Sequence, residues 1–332
     1  MNKSWHYKLI ASAGILLCAG AAALASDFSE NGPGRLTEIA ADSDFIVVAS
    51  CVNNQPADLP MHDLQFTVRR AIKGTLKSFA LSLNQKDSPS YNALTGSKPA
   101  LVFLKNGPDG QPGLTTPFSA IQLEANEAAL PGVLARELEI RSMGNAAKRD
   151  AALKQLILPL LAHDGNSYTG ESLAEDLLDL CQAGSLHLSA PELAMISRVA
   201  TNTDYRNVAL PLALVLAQQD APQTDAACLH VLMDTDALDK NASLRLAPVL
   251  AARPALRESF VQKIEQSKDS DRIGLMMTQL YLVDTGKMDA VYERLWHNNP
   301  ATHREIEHAL NQSVTPGRAE LLRHLKAEPG AP

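Results

Sequence analysis

The sequence predicts an α+β chain of two domains: a small N-terminal β-barrel or sandwich of five or six strands, then an all-α, irregular solenoid. Three observations carry this. Between residues 35 and 125 apolar residues alternate with polar ones or run in short β-branched blocks, as half-buried and buried strands do. Clusters of Gly, Pro, Asn and Asp separate those blocks. From residue 148 to residue 328 the apolar residues recur at helical spacing, and residues 126–147 form a linker with a helix of its own.

Taken in order, residues 35–44 (RLTEIAADSD) read as a short helix or turn, and residues 45–52 (FIVVASCV) are the β-branched run of a buried strand. In the second strand Leu64, Phe66, Val68 and Ile72 share one face, with Gln65, Thr67, Arg69 and Lys73 on the other, and Gly74 ends it. Arg70 falls in line with the apolar face near the strand end, where it can bury its stem and keep its head in water. The basic cluster reads as the wet face of a strand running into a turn, not as a binding patch. Residues 79–84, 100–105 and 118–124 are further strands, and residues 106–113 (NGPDGQPG) carry dense turn chemistry.

The segments AADSDFIVVASCV, FTVRRAIKG and GSKPALVFLK resemble a recurrent bacterial extracytoplasmic β-domain. Its members have an acidic residue before the first strand, a strand ending in Lys-Gly, and a Gly ahead of an LVFL strand. Such domains are similar to the OB-like barrels of the netrin and metalloproteinase-inhibitor (TIMP) type. The resemblance covers about residues 35–124 and implies a fold only. In the inhibitors a cysteine at the mature N-terminus docks on the target's metal. Here the expected mature chain begins Ser26-Asp27-Phe28, with no cysteine before Cys51.

Helical stretches are expected at 148–162, 173–183, 191–200, 205–218, 226–233, 242–252, 254–266, 271–284, 288–296, 300–312 and 316–327. Breakers punctuate them at Asp164-Gly165, Asp220-Ala221-Pro222, Gly286 and Asn298-Asn299-Pro300, and Thr315-Pro316 is a cap followed by a first-turn proline. Pro159, Pro211 and Pro248 each lie inside a leucine-rich helix, where a proline removes a backbone hydrogen bond and bends the helix. These helices resemble those of HEAT-type repeats. Residues 280–300 resemble one tetratricopeptide (TPR) helix pair. The prolines recur irregularly, so the solenoid is a degenerate one.

The N-terminus sets the compartment expected. Lys3 and Lys8 precede the apolar run 9–24, and Ala23-Leu24-Ala25 offers small residues at the two positions a signal peptidase reads. Residues 1–25 are therefore expected to be a cleaved signal peptide, leaving a periplasmic or secreted protein with no integral membrane segment. Removal of Lys3 and Lys8 takes the formal net charge from −7 to −9. With no basic domain and only 5% aromatic residues, nucleic-acid partners are disfavoured. Three cysteines then remain. Cys181 and Cys228 could pair in an oxidising compartment, but three small buried hydrophobes is the reading we favour.

The search for chemistry yields no catalytic, metal or cofactor site above its background. GNSYTG, residues 165–170, misses a nucleophile elbow and reads as a helix-linking loop. Glu305 and His308 share a helix face, but a di-metal site needs two such pairs and further carboxylates. Met276 and Met277 read as core filler. Tyr292 and Trp296, four residues apart, could form an aromatic contact edge for a partner, although core packing is the default. The leading expectation is a non-enzymatic interaction or scaffold protein of the cell envelope, holding a protein or peptide partner through its helical repeats. Two others are carried beside it. One is an envelope hydrolase or hydrolase regulator with a site at the β/α junction near His62, Asp63, Lys73 and Lys105. The other is glycan or small-molecule binding by the β-domain, which has few aromatics to spare for it.

Overall fold

A computed structural model describes residues 36–53, 61–84, 90–163, 168–233, 240–282, 288–312 and 317–327. The expected signal peptide, the breakers at 164–165 and Gly286, and the Thr315-Pro316 cap lie outside these. The described residues form two compact units, one ending at Leu188 and one beginning at Ser189. Periodicity alone starts the helical domain at residue 148. The structure instead groups the helices up to residue 182 with the sheet, because one of them covers a sheet face and the next two pack onto it in turn.

The first unit opens with α1 (Leu36–Asp42) and six strands: β1 (Phe45–Cys51), β2 (Met61–Lys73), β3 (Ser78–Asn84), β4 (Ala100–Asn106), β5 (Pro112–Leu114) and β6 (Ala120–Gln122). Helix α2 (Tyr91–Thr95) lies between β3 and β4. All pairings are antiparallel, in the order β3-β2-β1-β4-β5, with β6 beside β5 on the far edge of β4. The outer strands β3 and β5 touch, so the sheet curls towards a barrel. The short β5 begins inside the stretch that sequence reads only as turn. Gly107 and Gly110 do make that turn, and Pro112–Leu114 then pairs back onto β4.

β1 and β4 are buried on both faces, which is why they read as unbroken apolar runs. Val47, Ala49, Val102 and Leu104 face an inner core with Leu64, Phe66, Phe79 and Leu81, where the Phe66 and Phe79 rings stack at 4.7 Å. Ile46, Val48, Leu101 and Phe103 face an outer core closed by Leu36 and Ile39 of α1 and by Leu130 and Leu134 of α3 (Leu130–Arg141).

β2 departs from simple alternation. Val48 lies opposite Arg70 and Ala49 opposite Val68, so Arg69 is an extra residue, and Ile72 is another between Ala71 and Lys73. These bulges shift the faces: Val68 packs on the inner core, but Ile72 joins the outer one, not the face of Leu64 and Phe66. Lys73 donates from Nζ to the Ala40 carbonyl at 2.9 Å and so caps the end of α1. Gly74 is required on two counts, a φ of +70° and a neighbouring Phe45 ring that a Cβ would meet at 2.6 Å. The acidic residue ahead of β1, Asp44, accepts the Asn106 N–H at 2.8 Å.

Helices α4 (Ala146–His163) and α5 (Tyr168–Gln182) complete this unit, with α3 on α4 and α4 on α5. The first turn of α5 includes Tyr168, Thr169 and Gly170, the end of the stretch read as a loop.

The second unit holds α6 (Ala190–Ala200), α7 (Arg206–Gln218), α8 (Thr224–Met233), α9 (Lys240–Ala252), α10 (Pro254–Gln266), α11 (Ser270–Leu282), α12 (Asp289–Asn298), α13 (His303–Gln312) and α14 (Arg318–Ala327). Ser189 starts α6 with a capping box, its N–H donating to the Glu192 carboxylate at 2.7 Å. Each helix touches the one two places on: α6 with α8, α7 with α9, and so to α12 with α14. Two interleaved layers result, α6, α8, α10, α12 and α14 in one and α7, α9, α11 and α13 in the other. That is the arrangement of stacked helical repeats. Pro211 and Pro248 both fall in the second layer, inside α7 and α9, and Pro159 lies inside α4.

Candidate functional site

In the helix stack, an arginine ties each of three successive helices of the first layer to its predecessor. Arg253, at the start of α10, donates to Asp225 of α8 and, at 3.0 Å, to Asp220. Arg294 of α12 reaches Glu265 at 2.6 Å and Glu258 at 2.9 Å, both on α10. Arg318 of α14 is buried, pairs with Asp289 of α12, and holds its guanidinium carbon 5.1 Å from the centre of the Tyr292 ring. Asn299 adds a fourth tie: its Nδ2 donates to the Ile264 and Ser267 carbonyls at 3.1 and 2.9 Å, closing the end of α10. Each of the ladder's three arginines is thus paired with at least one carboxylate of the stack.

Tyr292 and Trp296 are in the core, 0% and 4% exposed, and form no contact edge. The helical spacing that puts them on one face of α12 turns that face inward. Trp296 stacks on the His303 ring at 3.9 Å, and His303 Nε2 lies 2.7 Å from the Trp296 carbonyl. Glu305 packs against α11, where Gly274 leaves room for its carboxylate 3.5 Å from the position a Cβ would take. His308 is exposed, and among the described residues no three His, Cys, Asp or Glu side chains are placed to hold a metal ion. Met276 and Met277 are buried.

Cys181 of α5 and Cys228 of α8 are both buried thiols, with no disulfide between them. Burial, and then Asp225 nearby, push the Cys228 pKa up to about 12, so it remains protonated.

The β/α-junction residues are not brought together. Asp63 and Lys73 stand ten residues apart on β2, roughly 30 Å along a strand. Asp63 accepts a hydrogen bond from Ser82, Lys73 caps α1, and Lys105 lies exposed near the end of β4. The structure instead gathers a group that spacing along the chain does not reveal. Glu137 and Arg141 of α3 meet Asp176 of α5 and Thr37 of α1. Arg141 reaches Glu137 Oε1 at 2.8 Å and Asp176 Oδ1 at 2.9 Å, and Thr37 donates to Asp176 Oδ1 at 3.1 Å. Burial and the neighbouring Glu137 carboxyl push the Asp176 pKa far up, to about 8, against the opposing pull of Arg141 and Thr37. Asp176 Oδ2 is buried with no hydrogen-bond donor to meet it, which favours the protonated form of this carboxyl. Both carboxyls are 3% exposed. They are sealed from any substrate, and the cluster acts as a latch joining α1, α3 and α5.

In comparisons with known proteins, no family model, curated protein or solved structure matches this chain.

Proposed function

We propose that this is a non-enzymatic interaction or scaffold protein of the cell envelope, which holds a protein or peptide partner along its helix stack. The observation that carries the reading is the two-layer stack of α6–α14, in which each helix touches the next but one. Stacks of this kind expose long continuous surfaces whose residues come from many helices, a geometry suited to an extended partner. The envelope location rests on the positive start, apolar run and Ala23-Leu24-Ala25 of residues 1–25. The mature protein then works outside the cytoplasm, with no nucleic-acid partner and no membrane span.

The test uses photo-crosslinking amino acids placed singly on the two layers, at Leu275 of α11 and at Lys263 of α10, in the cells that make the protein. Both positions are exposed, Leu275 by 38%. A discrete adduct from one layer, reproduced with the purified partner, supports the reading. Adducts from neither layer, together with turnover of an envelope polymer by the purified chain, would overturn it. N-terminal sequencing of the product from the envelope fraction should read Ser26-Asp27-Phe28, and an intact Met1 start would remove the location.

A further inference from the structure

The β-unit carries a polar cavity of about 230 Å³, walled by Ser50 and Cys51 at the end of β1, Arg69 of β2, and residues 95–98, from the last residue of α2 onward. Three features set it apart from an ordinary wet surface.

The first is how Arg69 comes to be there. It is the extra residue of a bulge, without a partner on β1, and bulges re-aim side chains at the edges of sites. No carboxylate among the described residues pairs with its guanidinium. The other cation of the wall, Lys98, is bound by Glu124. One cation in this cavity is therefore neutralised and one is not.

The second feature is a hydroxyl left over. Ser50 Oγ is shut off from solvent and has no hydrogen-bond partner among the described residues, an expensive condition for a buried polar atom. A change of rotamer would turn it into the cavity, where a bound group would satisfy it.

The third is that the wall holds nothing to repel a negative group. Cys51 donates its thiol proton to the Asn53 carbonyl at 3.2 Å. Burial raises its pKa against a smaller opposing pull from the Asn53 backbone, so it stays a neutral thiol and not a thiolate. Gly96 keeps the far wall thin: a Cβ there would come within 2.6 Å of the Gln122 amide. Thr95 spends its hydroxyl proton on the Tyr91 carbonyl at 2.9 Å, and Ser97 adds a further hydroxyl to the wall.

We propose that this cavity is an oxyanion site, taking a phosphate, sulfate or carboxylate group with Arg69 as its charge partner and Ser50 as a hydroxyl donor. Guanidinium and oxyanion match in geometry as well as charge, each offering two parallel positions. The volume corresponds to roughly eight waters at about 30 Å³ each, enough for such a group or the end of a larger molecule. The site stands independently of the helix-stack reading, and either can fail without the other.

Cys51 supplies the test, because it lines the cavity while Cys181 and Cys228 are buried. The full chain is alkylated with iodoacetamide, a neutral reagent, at one ionic strength in sodium chloride, phosphate, sulfate or acetate. Modification is followed at each cysteine by peptide mass spectrometry. The expected result is a saturable slowing at Cys51, threefold or more, by at least one oxyanion relative to chloride, with Cys181 and Cys228 unchanged. The anion that protects at the lowest concentration identifies the class. Arg69→Gln should raise the half-protecting concentration at least tenfold, while Arg70→Gln, one residue on and opposite Val48, should leave it unchanged. If Arg69→Gln does not fold, Arg69→Lys must still weaken protection, since the ammonium cannot bind two oxygens side by side. Equal rates in all four salts, or protection that survives loss of the Arg69 guanidinium, would overturn the proposal.

Discussion

The curled sheet of residues 45–122 and the helix stack of residues 190–327 bury side chains of the same kind in different ways. In the sheet, β1 and β4 are each covered on both faces, and their neighbours come from distant parts of the chain: Ile46 lies beside both Lys73 and Phe103. In the stack, contacts run from a helix to the next and the next but one. A closed sheet has no independent part, whereas a stack is a chain of similar interfaces whose stability is close to a sum of local terms. Damage should therefore spread through the first and stay local in the second.

The largest effect is expected from Phe103→Ala. Phe103 is 1% exposed, sits on the central strand β4, and closes the outer core against α1 and α3. Its loss should cost about 3–5 kcal/mol. Hydrogen exchange should accelerate through all of β1–β4 together, and protection retained in β2 and β3 would break the cooperative picture. Phe260→Ala, on a fully buried residue of α10, removes the same side chain from the stack. A similar loss of about 3–5 kcal/mol is expected, but felt only by α10 and the helices it touches. Uniform loss of protection from α6 to α14 would show the stack to be as cooperative as the sheet.

A smaller effect concerns pH. Native Asp176 holds its proton far above its ordinary value of 3.8, to about 8, so between those values the folded chain binds more protons than the unfolded one. Stability must then fall as pH rises through that window, by at most about 1.4 kcal/mol per pH unit. Asp176→Asn imitates the protonated carboxyl and should flatten the slope in urea melts between pH 5 and 8. An unchanged slope would mean that the latch does not titrate. The smallest effect is expected from Arg253→Ala. Its ion pairs are partly exposed, and their loss should cost no more than about 1 kcal/mol, weakening with added salt.

Much of the architecture was legible because it depends on period alone. The β-branched run 45–52 and the leucine-rich run 206–218 can each be buried in one kind of element, and the structure has β1 and α7 there. Gly74 was legible as a strand end, and the Phe45 ring beside it gives the reason. Less came through where one residue breaks a period. Alternation put Ile72 with Leu64, but a bulge is an insertion that preserves composition and changes only the face. Tyr292 and Trp296 show a related limit. Helical spacing says that two residues share a face, and not whether that face meets solvent or another helix.

The two candidate constellations were illegible for a stronger reason. Thr37, Glu137, Arg141 and Asp176 come from three helices, and Ser50, Arg69 and Lys98 from two strands and a loop, with no spacing that would single them out. By itself, then, the sequence determined the element types, their order and the acidic balance, since each follows from local composition or from the period at which apolar residues recur. Only the tertiary structure decided which charges are buried together, which thiol borders a cavity and where Arg69 points. Burial, a raised carboxyl pKa and an orphaned hydroxyl are properties of neighbours in space, and in this fold most of those neighbours lie tens of residues apart in the chain.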